Sequence, residues 1–416
     1  MSKQQVALNI KANANNQASA SFRTGAKQGR LYYLDWLRVL AVLVVFFAHM
    51  AWVFDVLYSW KIENLKGYAL IVFGTQTGMA LFFLIAGANA WFSLRSRTGR
   101  QFLGERVARL TIPFLAATIL LAPFQAYFID LSRSLFHGSF LEYCLHFVKT
   151  PQLSLNPLSL AAFGFHLWFL AFLFLFSLLA LPLFIFLQHE TGQRFIAWLA
   201  ALCLRRRGIF ILSLPLVVIQ TALRASFPGY QGWTDFFVWF VFFVYGYLFL
   251  ADRRFEQAVQ KNGMFALLVG ITSFLIIVAT MHGPAFMNFW QVTPGYSLIY
   301  ALYQLLFSIT AWSLMIFVLY FAKRFLNFDN KFIRYANEAL LPFFLLHFLM
   351  IVMITYFFVQ WDMNMAARFL LVSALALAAT LAVYELLIKR IGITRRLFGM
   401  KPAKQENLHN LDMNSP

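Results

Sequence analysis

Charge is what this sequence has least of. Only 12% of its 416 residues are charged, about half the ~25% of a soluble globular domain. Acidic residues are the scarcest, 16 against 34 Lys and Arg, which leaves a formal net charge of +18. So few charges cannot solvate a chain that is 61% hydrophobic, so the sequence reads as a polytopic membrane protein. Cysteine is nearly missing as well: Cys144 and Cys203 stand far apart, and no Cys/His spacing matches a metal motif. A disulfide framework, structural zinc and haem attachment are therefore unsupported, and no metal is expected. The first thirty residues have neither an apolar core nor a cleavage site, which excludes a signal peptide. Rich in Gln, Asn, Ala and Ser, residues 1–30 read as a disordered tail. No internal repeat is evident, which argues against the commonest transporter architectures.

Long apolar runs are what the sequence does have. At ~20 apolar residues per span, the expected fold is all-α, a polytopic membrane protein of ten transmembrane helices. These run Leu34 to Phe54, Tyr68 to Ser93, Leu110 to Leu131, His166 to Leu187, Ile209 to Ser226, Thr234 to Ala251, Met264 to Met281, Ser297 to Ala322, Phe332 to Phe358, and Phe369 to Ile388. Residues 31–390 then form one transmembrane domain, and 391–416 a C-terminal tail. All the basic residues but seven fall in the N-terminal tail, the even-numbered loops and the C-terminus. The exceptions are Arg38, Lys61, Lys66, Arg133, Lys149, Arg224 and Arg368. By the positive-inside rule both termini are expected in the cytoplasm. Topology thus accounts for the basic balance, and the partner it implies is the lipid bilayer, not nucleic acid. The third loop, 132–165, is unusually long and so expected to carry structure of its own. Its segment from Phe140 to Val148 suits a short interfacial helix.

Three polar residues break the first apolar run: Asp35, Arg38 and His49. A charged side chain in hydrocarbon costs at least ~2.5 kcal/mol, so it persists only when paired or facing a cavity. Arg38 and His49 are eleven residues apart, about 1100° of rotation, within ~20° of three whole turns. They share one face, roughly 16 Å apart along the axis, and Asp35 sits one turn below Arg38, where it can neutralise it. His347 lies fifteen residues into the ninth helix, as His49 does into the first, which sets both ~22 Å from the cytoplasmic boundary. His166 opens the fourth helix near the outer surface, at a similar height. Imidazole titrates near working pH and suits a general base, although a lone buried histidine is more often a packing residue. Arg106 and Arg109 follow the second helix one turn apart, a spacing suited to gripping phosphate oxygens, although topology alone also fills cytoplasmic loops with arginine. Arg224 and Asp235 are expected to pair structurally, anion binding by Arg224 being the sharper alternative. Glu385 with Lys389 and Arg390 reads as an interfacial charge pair.

These residues resemble the membrane acyltransferase family 3. That family carries Leu-Asp-x-Leu-Arg in its first helix, a His eleven residues after the Arg, and Arg-x-x-Arg in the loop after its second helix. The corresponding residues here are Leu34-Asp35-Trp36-Leu37-Arg38, His49, and Arg106 with Arg109. The layout matches from Leu31 to about Pro402. One departure is at Phe348 and Leu349, where the family often places Pro soon after the ninth-helix His. The resemblance implies transfer of an acetyl, succinyl or other acyl group from cytoplasmic acyl-CoA, a co-substrate, to a hydroxyl of an extracytoplasmic glycan or lipid-linked sugar. The site residues it implies are His49, Arg38, Asp35, His347 and His166 for catalysis, and Arg106 and Arg109 for the donor. A bacterial inner membrane is the expected location. A permease is the rival reading, because intramembrane Arg and His also mark ion pathways. It predicts helices broken by Gly and Pro at mid-depth, and the chain offers few such breaks. A non-enzymatic scaffold would leave the Arg38 and His49 stripe without a task. Nothing in the sequence fixes the oligomeric state.

Overall fold

The computed structural model describes residues 30–58, 65–149, 165–280, 297–358 and 361–400. Among them every regular element is a helix. In chain order these are α1 (Tyr32–Tyr58), α2 (Leu65–Ser96), α3 (Gly99–Leu120), α4 (Ala122–Ser132), α5 (Phe140–Lys149), α6 (Trp168–Gln188), α7 (Glu190–Leu204) and α8 (Gly208–Leu223). There follow α9 (Trp233–Ala251), α10 (Arg253–Thr280), α11 (Leu298–Phe325), α12 (Lys331–Phe358), α13 (Met365–Ile388) and α14 (Gly392–Leu397). Eight of them, α1, α2, α6 and α9 to α13, contain stretches long and apolar enough to cross a membrane. The expected third span is the bent pair α3 and α4, with an angle of 41° between them. Pro123 near the start of α4 lacks an N–H and crowds the carbonyl four residues back, which ends the preceding helix. The expected fifth span is α8, shorter than a full crossing and begun by a 3₁₀ turn at Gly208–Ser213.

Three elements differ from the sequence reading. α7 occupies what reads as a loop; it is amphipathic, with Ile196, Ala200 and Cys203 buried and Phe195 and Trp198 exposed. α10 starts at Arg253 rather than Met264, its first turns carrying Arg253, Arg254, Glu256 and Lys261. A hydropathy window sees only the apolar part of such a helix, whereas the backbone stays hydrogen-bonded into the polar region beyond. The start of the expected C-terminal tail is also ordered: α14 packs against α3, and Phe398 is buried. The short helix expected in the third loop is present as α5. The N-terminal tail up to residue 29, positions 150–164 of the third loop and residues 401–416 lie outside the described residues.

Close packing of small residues sets the frame. α2 and α9 meet at Gly87 and Gly246: a Cβ on Gly87 would fall 1.8 Å from the Phe243 carbonyl oxygen, and one on Gly246 would fall 1.8 Å from that of Leu84. Such contacts let backbones approach where no hydrophobic effect drives association. Against this seam an aromatic stack fixes α6. Trp168 lies 4.8 Å from Trp239, which lies 5.6 Å from Phe83, and Phe176 packs 4.9 Å from Phe83. Because Trp168 starts α6, the stack also holds His166 in place two residues earlier. α1 and α12 run parallel, with Arg38 reaching Asn337, Phe46 meeting Phe343 and His49 meeting His347. As expected, Arg224 pairs with the fully buried Asp235. Asp235 also accepts the Gln231 N–H at 2.9 Å, and Arg224 donates to Gln220 at 2.9 Å.

Gly246→Val should lower the unfolding midpoint in detergent steeply, overpacking here costing at least ~1–3 kcal/mol. Gly104→Ala, where a Cβ meets nothing within 4 Å, should leave the midpoint unchanged or raise it. Arg224→Ala strands a buried carboxylate and should cost about 3–5 kcal/mol.

Candidate active site

α12 builds the centre of the site from its own backbone. His347, fully buried, turns its Nδ1 back onto the carbonyl oxygens of Phe344 at 2.8 Å and Phe343 at 3.1 Å. A carbonyl has no proton to give, so Nδ1 is the donor. In the neutral ring Nε2 then bears the lone pair. His49 Nδ1 lies 2.9 Å from that Nε2 and so donates to it. The consequence passes to the next ring: with its Nδ1 protonated, a neutral His49 keeps an unprotonated Nε2. His49 is only partly buried, and among the described residues this Nε2 has no hydrogen-bond partner. A backbone carbonyl in α12 thereby fixes the tautomer of a partly buried imidazole in α1.

The same carbonyl serves His166. Its Nε2 donates to the Phe344 oxygen at 3.1 Å, leaving Nδ1 buried without a partner. The three rings form one cluster, with centroids 5.1 Å apart for His49 and His347, 5.2 Å for His166 and His347, and 5.7 Å for His49 and His166. Among the described residues no group of three or more His, Cys, Asp or Glu side chains is arranged to hold a metal ion.

Three residues beyond Asp35 in α1, Arg38 donates to Asp35 at 3.5 Å, Asn337 at 3.5 Å and Asn89 at 3.3 Å. Asp35 in turn accepts from Arg30 at 2.7 Å. Arg38 and Arg106 line a common cavity of about 210 Å³, whose wall also includes Asn89, Leu110, Phe169 and Phe344. The cavity therefore reaches from two guanidinium groups to the residue whose carbonyl orders the histidines. Arg106 stacks over Phe102, its guanidinium carbon 4.7 Å from the ring centre, and its Nε is buried without a partner.

Arg109 has a different position from the one expected. It is exposed, bonded to Glu105 at 3.3 Å, and absent from the cavity wall. Val107–Thr111 forms a π-helical turn, whose wider i→i+5 winding turns Arg109 away from the face it would share with Arg106 in a regular helix. Glu105 also holds Arg97 at 3.2 Å. The polar contacts that sequence reasoning did not assign are Asn89, Asn337, Glu105 and the Phe344 carbonyl. Asn89 carries a signal of the kind that singles out Arg38, a polar group inside an apolar run. A backbone carbonyl carries none.

The family model of acyltransferase family 3, an acyltransferase domain, matches residues 31–385. The chain belongs to this family. Neither curated proteins nor solved structures give a match. As a family 3 protein it is an acyltransferase, and the matched stretch contains both the histidine cluster and the arginine-lined cavity.

If His49 and His347 act as one unit, single substitutions should each remove most of the transfer activity, and combining them should remove little more. Steady-state kinetics of His49→Ala, His347→Ala and the double variant measure this. Multiplying losses would show that the two rings act separately.

Proposed function

We propose that the protein moves an acyl group from acyl-CoA, bound from the cytoplasm, to a hydroxyl of a glycan or lipid-linked sugar on the outer side of a bacterial inner membrane. Both termini are then cytoplasmic, as the distribution of Lys and Arg favours. The observation that carries the chemistry is the hydrogen-bond chain from the Phe344 carbonyl through His347 to His49. It leaves a lone pair on His49 Nε2, on an imidazole that is only partly buried. A base needs its proton-accepting atom free and its ring held in one orientation, and this chain supplies both.

In this mechanism the acceptor oxygen attacks the thioester carbonyl while its proton passes to His49 Nε2. The positive charge that develops is shared along the hydrogen bond to His347. Collapse of the tetrahedral adduct breaks the C–S bond, and the departing sulfur takes up the proton from His49. Arg106, facing the cavity from the basic end, is suited to a phosphate of the donor. Its unpartnered Nε provides an unused donor for that contact. Arg38, fixed by two amides and one carboxylate, acts as an oriented cation along the donor's path. Asp35 keeps it in place. His347 and His166 position rather than react, since their ordering contacts are to backbone oxygen.

Within the family the chain resembles glucan biosynthesis protein C, a periplasmic glucan succinyltransferase. The segments that carry the likeness are His166-Leu-Trp-Phe-Leu170, Asn337 to His347, Tyr384-Glu-Leu-Leu-Ile388 and Leu397-Phe-Gly-Met-Lys-Pro402. A succinyl donor and an oligosaccharide acceptor are therefore the first pair to assay.

Purified His49→Ala should lose transfer by about 10²-fold or more, in keeping with the loss of a general base; near-normal turnover would remove His49 from the mechanism. Arg106→Ala should raise the KM for acyl-CoA by roughly tenfold, the loss of one charge-assisted contact, while Arg109→Ala should change it far less. An unaltered KM in Arg106→Ala would end the phosphate role.

A further inference from the structure

Hydroxyls in the helices of this protein commonly bond back to their own helix. Ser177, Ser308 and Thr380 all donate to the carbonyl four residues earlier, each at 2.7 Å. Thr118 departs from that habit: it is buried and its Oγ1 has no partner. Seven residues on, Gln125 is 1% exposed, and neither its amide nitrogen nor its amide oxygen has a partner. Seven residues before Thr118, the Thr111 hydroxyl is likewise buried and unpaired. A spacing of seven is within ~20° of two whole turns, so Thr111 and Thr118 share a face of α3, and Gln125 follows across the bend in α4. In hydrocarbon an unpaired polar group costs several kcal/mol, and a Gln with three unmet donors or acceptors is costly in any apolar setting.

The depth of this stripe follows from the helices themselves. Arg106 and Arg38 face one cavity, so they mark a common level. Thr118 is twelve residues beyond Arg106, ~18 Å, and His49 is eleven beyond Arg38, ~16 Å. A second pair of contacts agrees. Phe128 packs 5.3 Å from Tyr356; Phe128 is ten residues past Thr118, and Tyr356 nine past His347. Thr118 is therefore level with the histidines, and Gln125 lies about 10 Å farther from the arginines. α4 carries Gln125 and Phe128 three residues apart, on the face that meets α12.

We infer that Thr118 and Gln125 form a hydroxyl-binding subsite for the acceptor, running from the level of the histidines to about 10 Å beyond it, away from Arg38 and Arg106. The inference rests on the acyl-transfer reading above. An amide offers two N–H donors and a carbonyl acceptor, and Thr offers one hydroxyl that does both; a sugar hydroxyl, donor and acceptor at once, complements each. The subsite therefore favours polyhydroxylic acceptors over simple alcohols.

The test is steady-state transfer from labelled succinyl-CoA, with acetyl-CoA in parallel, to a gluco-oligosaccharide by purified wild type, Gln125→Leu and Thr118→Val, together with thermal unfolding of each. Gln125→Leu should raise the KM for the oligosaccharide roughly three- to tenfold, the loss of one or two neutral hydrogen bonds. The KM for the donor should not move. Its unfolding midpoint should hold or rise, because an apolar side chain replaces a buried unpaired amide. Thr118→Val should shift the acceptor KM the same way by a smaller factor. An unchanged acceptor KM in both variants, as expected if buried water alone fills the stripe, overturns the subsite while leaving the acyl-transfer reading intact. A fall in the midpoint with unaltered kinetics assigns the residues to structure alone. If the wild type acylates no oligosaccharide at all, the subsite falls with the reading beneath it.

Discussion

Hydrocarbon offers no hydrogen bonds, so a polar side chain within a spanning helix must find its partner inside the protein. That constraint shapes the contact between α1 and α12, on which the site depends. Arg38 finds Asn337 near one end of the pair, and His49 finds His347 ten or eleven residues farther on. The two polar rungs hold the helices in parallel register, because a shift of one helix by a turn would separate both pairs and leave the fully buried His347 without its partner in α1. Between them Phe46 meets Phe343.

The order of the imidazoles then follows from the backbone. Helix carbonyls of Phe343 and Phe344 point toward His347, and a carbonyl is always an acceptor. One proton position is fixed, and it fixes the next. The tautomer of His49 is in this way set by an atom in a different helix. Orientation and protonation are settled before any substrate arrives, the condition under which a base acts without reorganising its surroundings. The tight frame around the site serves that end. Gly87 and Gly246 bring α2 and α9 into backbone contact, and the stacked Trp168, Trp239 and Phe83 hold the start of α6 where His166 shares the Phe344 carbonyl.

Much of this was legible in the chain. Asp35, Arg38 and His49 stand out because charge and imidazole are costly in an apolar run, and the helical repeat places Arg38 and His49 on one face. Counting residues from the helix starts gives His49 and His347 equal depth, and their rings meet. The Arg224 and Asp235 pair follows from the same logic of burial. What was not legible has equally physical causes. The separation of Arg109 from Arg106 depends on a π-helical turn, which leaves no pattern in hydropathy. α7 is hidden because its apolar face is too short to resemble a span. The unpaired amide of Gln125 is invisible in sequence, where any Gln has the same letter whether or not it has a partner.

The sequence by itself determined that the chain is a helical membrane protein, which residues are too polar for their surroundings, and their heights along their own helices, because composition and the rise per residue are properties of the chain alone. Only the tertiary structure decided that α1 and α12 are neighbours, that Phe344 lends its carbonyl to two histidines, and that Arg106 but not Arg109 faces the cavity. Those facts depend on lateral packing, and apolar surfaces of similar shape do not specify their neighbours in any one-dimensional pattern.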